Sequence, residues 1–163
     1  MFRPMRRKNQ ELTFEDNIEI LKKGKTGILA VLGDNEYPYT VPLNYFYIDN
    51  KIYFHCAKSG HKIDAIRKNT KVSFCVIDKD DIVPEKYGTD YKSVIAFGRA
   101  RIMEIDEMMP FIRMFTKKYC PFDKETIQKT IDKEFKLLCM VEINIEHITG
   151  KQAIDYIRKK DPS

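Results

Sequence analysis

The stretch IYFHCAKSGHKIDAIRKN, residues 52–69, changes character halfway along its length. Ile52, Phe54 and Cys56 alternate with Tyr53 and His55, the period of a strand whose two faces meet different surroundings. Lys58-Ser59-Gly60 then interrupts the alternation, and His61 to Lys68 places Ile63 and Ile66 on one side of a short cationic helix. The reading is a strand-to-helix corner carrying Lys58, Ser59, Gly60, His61 and Lys62. A helix start presents backbone N–H groups at the positive end of its dipole, so such a corner suits a phosphate dianion. The same residues are also compatible with Ser59 capping the helix beside solvated lysines.

Outward from this corner the chain reads mainly as strands. Before it lie a helix opened by Thr13-Phe14-Glu15-Asp16 and closed by Lys22-Lys23-Gly24, then an apolar strand from Thr26 to Leu32. The turn residues Gly33 to Glu36 lead into a second extended run, Tyr37 to Ile48, and Asp49-Asn50 turns the chain into Lys51 to Cys56. Pro38 and Pro42 remove two backbone donors from the second run, which is therefore at an edge, bulged, or facing something other than another strand there. Beyond the corner, Lys71 to Ile77 is a fourth strand, Asp78 to Lys92 a long polar loop, and Ser93 to Ile105 a long strand bent at Gly98. Two helices, Asp106 to Lys118 and Lys124 to Phe135, flank Cys120-Pro121; a last strand, Leu137 to Ile145, runs into a polar tail. Six mostly antiparallel strands with few helices to cover them predict a mainly β, α+β domain, residues 1–163, whose sheet curls into a closed or nearly closed barrel.

Composition narrows the classes of function. With 29 basic against 24 acidic residues the net charge is +5, a mild excess that admits an anionic ligand without demanding nucleic acid, and the basic and aromatic pattern of a nucleic-acid module is lacking. No apolar run is long enough to span a bilayer, and the basic residues near the start precede no apolar core, so a cytoplasmic protein without a membrane partner is expected. Cys56, Cys75, Cys120 and Cys139 are scattered through apolar or strand-like surroundings, which reads as four buried, reduced thiols with no metal-binding spacing.

A second element of a ligand site lies in Val41-Pro42-Leu43-Asn44-Tyr45. A proline-kinked strand exposes backbone groups to a flat heterocycle, the Asn44 amide offers a donor and an acceptor, and its neighbours offer an apolar slot. A planar ring with a phosphate tail satisfies both places. Asn44 reads equally as an amide bonded to the backbone, and His55, on the strand that enters the corner, as either a catalytic or a structural histidine.

Several segments in order carry a family resemblance: Arg6-Arg7-Lys8, Gly27-Ile28-Leu29-Ala30, Tyr37 to Tyr45, Ile52 to Lys62, Asp64, Ile66-Arg67 and Tyr91 to Ala100. Together they resemble the nitroimidazole-resistance branch of the pyridoxamine 5′-phosphate oxidase-like, FMN-binding split-barrel proteins. The resemblance implies a six-stranded antiparallel split β-barrel with flanking helices, and a homodimer with FMN at the subunit interface. It places Lys58, Ser59, Gly60, His61 and Lys62 around the phosphate, Val41, Pro42, Leu43 and Asn44 along the isoalloxazine, and Tyr91 and Ser93 on the partner's side. It further implies reduction of a small organic acceptor such as a nitroaromatic, with NADH or NADPH as electron donor, and His55 as the residue to test beside the flavin. The segment Leu137 to Ser163 lacks the Arg-, Trp- and Gly-containing substrate motif of true pyridoxamine phosphate oxidases, which argues against vitamin B6 oxidation. Related split barrels imply haem or a deazaflavin as other ligands, and a non-catalytic flavin-binding protein as another role.

Overall fold

The computed structural model describes residues 1–120 and 123–160. Pro121, which the sequence places between two helices, lies outside them. Thr13 caps α1 (Phe14–Lys23), its hydroxyl accepting the Asp16 N–H at 3.1 Å, and Glu15 and Asp16 sit favourably in the first turn. There follow β1 (Thr26–Leu32), β2 (Pro38–Asn44), β3 (Phe46–Ile48), β4 (Lys51–Ala57), α2 (His61–Lys68), β5 (Lys71–Val83) and β6 (Gly88–Ile102). The chain continues through α3 (Met108–Tyr119), α4 (Lys124–Glu134), β7 (Leu138–Gln152) and α5 (Ile154–Lys160). No helix among the described residues is long and apolar enough to cross a membrane.

All seven strands form one antiparallel sheet in the order β2-β1-β5-β6-β7-β4-β3. The two edge strands, β2 and β3, are consecutive in sequence with only Tyr45 between them. The sheet therefore curls until its edges meet at that residue, giving a split barrel with one strand more than expected. The Tyr37–Ile48 run is two strands at opposite edges, because the chain changes partner at Tyr45. There the Lys118 ammonium donates to the Tyr45 carbonyl (3.1 Å), and the Tyr119 hydroxyl accepts the Tyr45 N–H (3.2 Å) and donates to the Lys25 carbonyl (2.6 Å). Backbone groups lost from the ladder at the switch are thus satisfied from α3. Pro38 and Pro42 do lie on an edge strand, as their missing donors require.

Three further expectations are corrected. The segment 78–92 is not a loop: β5 and β6 continue as a ribbon to Val83 and from Gly88, pairing Asp80 with Tyr91 and Ile82 with Thr89. Asp78–Ile82 are exposed, so this ribbon shows no apolar alternation to identify it. The tail after Ile145 is likewise ordered, since β7 runs on to Gln152 against β6 and α5 follows. Gly98 does mark an irregularity: the β6–β7 register slips at Phe97/Gly98, with Glu146 as the extra residue, and a side chain at Gly98 would collide with the Asn144 carbonyl. Finally, of the four cysteines only Cys139 is buried; Cys56, Cys75 and Cys120 are half-buried.

Two apolar clusters follow from the strand alternation. Leu29, Ile52, Phe54, Phe74, Val94 and Ile143 fill the barrel with Leu21 of α1 and Ile63 of α2. On the other side of β4 and β7, Phe46, Tyr53 and Met140 meet Ile112 and Phe115 of α3 and Ile131 of α4. At the margin of this second cluster Glu142 is only 5% exposed and receives hydrogen bonds from Arg101 Nε (2.9 Å), Lys51 Nζ (3.1 Å) and the Tyr53 hydroxyl (2.9 Å). Burial alone pushes the carboxyl pKa up, but the bonds from Arg101, Lys51 and Tyr53 outweigh it and hold the pKa at about 2.

A folded pKa below the unfolded value of about 4.3 stabilises the protein above that pH, and the contribution disappears as pH falls through about 2. The difference corresponds to about 3 kcal/mol. Glu142→Gln is expected to lower stability at pH 7 by this order and to flatten the pH dependence between about 4.3 and 2. Urea denaturation across that range measures both, and a variant with the parental acid profile would refute the assignment.

Candidate functional site

The corner begins where β4 loses its partner, after Ala57 pairs with Leu138. Gly60 is the N-cap of α2 at φ 123°, a backbone conformation that disfavours side chains, although the space around its α-carbon is open. No side chain caps the helix, so Ser59 is not spent on that role. The Gly60 carbonyl accepts the N–H groups of Ile63 (2.9 Å) and Asp64 (3.1 Å), starting the helix and leaving its first turn facing outward.

Cations surround this start, and some of them are already paired. Arg67 binds Asp64 at 3.2 Å and Lys68 binds Asp34 at 3.2 Å. Among the described residues neither Lys58 nor Lys62 has an ion pair, which leaves two charges near the uncapped turn for an anionic ligand. His61 is occupied on its other side: its ring stacks on Tyr39 at 4.2 Å, and Nε2 accepts the Asp34 N–H at 3.1 Å. It thereby ties the corner to the β1–β2 turn.

Tyr39 carries the same arrangement into β2. Val41 and Leu43 turn toward the barrel interior, whereas Pro42 and Asn44 lie on the exposed face. The Asn44 amide donates to the Lys25 carbonyl at 3.1 Å, which fixes its plane. Because β2 pairs only with β1, its other edge is open to backbone hydrogen bonding. The structure thus joins the corner and the proline-containing strand through His61 and Tyr39.

Tyr91 and Ser93 occupy a different place, on β6 opposite Asp80 and Ile77 of the projecting ribbon. The Lys151 ammonium lies 5.2 Å from the Tyr91 ring centre. His55 also stands apart from the lysines. Its ring packs edge-on against Phe115 at 4.4 Å and lines a cavity of about 170 Å³ with Ile131, Glu134 and Phe135. These apolar surroundings lower the imidazole pKa, with Glu134 opposing them.

Two arrangements were not legible in the sequence. Lys118 and Tyr119 reach the edge switch from α3, and Cys56 and Cys139 come together across β4 and β7 with their sulfurs 3.7 Å apart. No local motif announces either one, because the partners are far apart in sequence.

A curled antiparallel sheet with its edges joined at one residue, and an uncapped cationic corner on its exterior, define a split-barrel protein. The chain belongs to the pyridoxamine 5′-phosphate oxidase family, whose model matches residues 15–152. No curated protein matches it. Among solved structures it is similar to a candidate 5-nitroimidazole antibiotic resistance protein from Bacteroides thetaiotaomicron, with 17% identity, 86% of this chain and 85% of that chain covered, and a TM-score of 0.72. An FAD-binding protein from Mesorhizobium loti shares 24% identity over 88% of this chain and 97% of that one, with a TM-score of 0.61. An FAD- and haem-binding protein from Mycobacterium smegmatis shares 14% identity over 90% and 74%, with a TM-score of 0.72. At these identities the likenesses establish the fold.

Proposed function

We propose that the protein is an FMN-dependent oxidoreductase that uses NADH or NADPH to reduce small organic acceptors such as nitroaromatics in the cytoplasm. The observation that carries this reading is the α2 start, where Gly60 leaves an uncapped helical turn and Lys58 and Lys62 have no ion pair among the described residues. That donor set fits a phosphate dianion. The similarity to proteins named for FAD binding and for nitroimidazole resistance supports a flavin over other phosphates.

On this reading Lys58, Ser59, Gly60 and Lys62 hold the phosphate, and His61 keeps the corner in register with β2. Pro42 and Asn44, with the open backbone edge, border the ring, while Val41 and Leu43 support them from the core side. Bound FMN supplies the electron-transfer chemistry; the chain orients it and excludes water. His55, beside the apolar cavity and with its imidazole pKa lowered by burial, is the candidate for proton handling or acceptor placement.

The reading includes a homodimer in which Tyr91 and Ser93 reach the partner's flavin. Exposed Ile77, Ile95 and Phe97 on the outer face of the sheet supply an apolar surface for such pairing.

Absorption spectra of the purified protein, before and after FMN addition and desalting, test the cofactor. Oxidised-flavin bands that stay with the protein, nicotinamide-dependent turnover, and a fall in turnover for His55→Ala with flavin retained are the expected results. A protein that stays colourless after FMN addition, or that shows a Soret band instead, overturns the proposal.

A further inference from the structure

We propose that Cys56 and Cys139 form a redox-active dithiol, oxidised by hydroperoxides to a disulfide that staples β4 to β7. The two residues are direct cross-strand partners, and their sulfurs lie 3.7 Å apart. Directly opposed residues on antiparallel strands have α-carbons roughly 4.5–5.5 Å apart, inside the disulfide range of roughly 4.4–6.8 Å, so side-chain rotation closes the bond without moving the strands. Cys139 is 6% exposed, yet it borders a cavity of about 220 Å³ that gives a small oxidant a route to its sulfur.

The surroundings divide the roles of the two thiols. The Cys139 thiol donates to the Ala57 carbonyl at 3.5 Å, a bond lost on ionisation, and Lys58 and Arg67 line the cavity beside it together with Glu104. The hydrogen bond with Cys56 favours the Cys139 thiolate; burial opposes it, and the charges of Arg67, Lys62 and Lys58 add to it. Cys56 is pushed the other way, first by its bond to Cys139 and then by burial. Cys139, which lines this cavity beside Lys58 and Arg67 where Cys56 does not, is assigned as the attacking sulfur and Cys56 as the resolving one.

The chemistry balances with a hydroperoxide as the oxidant. The Cys139 thiolate attacks one peroxide oxygen, the O–O bond breaks, and the departing alkoxide takes up the thiol proton as an alcohol, or as water when the oxidant is hydrogen peroxide. Cys139 is left as a sulfenic acid. The Cys56 sulfur then attacks the Cys139 sulfur; the S–S bond forms, the S–O bond breaks, and hydroxide leaves with the Cys56 proton as water. Two electrons pass from the sulfurs to the peroxide, and a dithiol reductant returns them.

This inference does not require the flavin assignment, although the two share Lys58 and Lys62, and it is tested on the flavin-free protein. The purified protein is treated with hydrogen peroxide, its remaining thiols are alkylated, and its proteolytic peptides are mapped by mass spectrometry. The expected product links the Cys56 and Cys139 peptides, leaves Cys75 and Cys120 alkylated, and reverts with dithiothreitol. In Cys56→Ser, dimedone is expected to trap a sulfenic acid at Cys139; Cys139→Ser is expected to consume peroxide about tenfold more slowly than the parent. Alkylation of both Cys56 and Cys139 after peroxide treatment, or oxidation confined to Cys75 and Cys120, would overturn the proposal.

Discussion

Lys62→Ala weakens FMN binding by about 1.5–3 kcal/mol, roughly 10- to 150-fold in Kd, if the corner holds the phosphate as proposed. Lys62 is half-buried at the uncapped start of α2. A phosphate there replaces water with a charge-assisted bond, and truncation removes both the donor and its charge. The helix itself should survive, because Ile63 and Ile66 anchor it in the barrel core. Titration of FMN fluorescence quenching measures the affinity, and thermal unfolding without flavin provides the control. An unchanged Kd would remove Lys62 from the phosphate site; a large loss of stability in the flavin-free protein would reassign it to the fold.

Tyr45→Ala is expected to cost about 3–5 kcal/mol of stability, in the range of large aromatic truncations in a core. The side chain is fully buried, packs edge-on against Phe74 at 5.0 Å, and donates its hydroxyl to the Leu21 carbonyl at 2.9 Å. Truncation opens a cavity where β1, α1 and the edge switch meet, and leaves the Leu21 carbonyl without that donor. Tyr45→Phe keeps the ring and removes only the hydroxyl, so a smaller loss of about 1–3 kcal/mol is expected. Chemical denaturation of both variants measures the order. Equal losses would place the whole effect in the hydrogen bond, and no loss in Tyr45→Ala would show that the switch does not depend on this residue.

The elements that could be read locally were those whose partners are close in sequence or whose faces differ in polarity. Thr13 and Asp16 lie within one helical turn, so the cap of α1 was visible. Asp49 and Asn50, with φ of 50° and 59°, are residue types that tolerate the left-handed turn joining β3 to β4. The alternation from Ile52 to Cys56 sorted β4 correctly between the barrel core and the helical side. The β5–β6 ribbon escaped notice because its ladder bonds are backbone bonds, and exposed Asp78, Asp80 and Asp81 show no buried face.

For the candidate site, the residue types and their order were legible while their availability was not. Sequence alone left Ser59 as a possible cap; the fold shows Gly60 in that position without a capping side chain. It could not distinguish His61 from the nearby lysines, whereas the structure engages its ring with Tyr39 and Asp34. Nor could it separate Asn44 and Pro42 from Val41 and Leu43 until the pleat assigned them to opposite faces.

The amino-acid order by itself determined the strand-rich class, the interruption that Pro38 and Pro42 impose on their strand's ladder, and the cationic strand-to-helix corner, because each rests on local periodicity, missing donors or charge spacing. Tertiary structure alone decided where the sheet divides, which lysines remain unpaired and which cysteines meet. Those outcomes depend on groups such as Lys118 and Tyr45, or Cys56 and Cys139, whose separations of 73 and 83 residues place their contacts beyond any local pattern. The pairing of β4 with β7 brings the cysteines together, and the packing of α3 at the edge switch brings Lys118 to Tyr45, where unsatisfied backbone groups select the final arrangement.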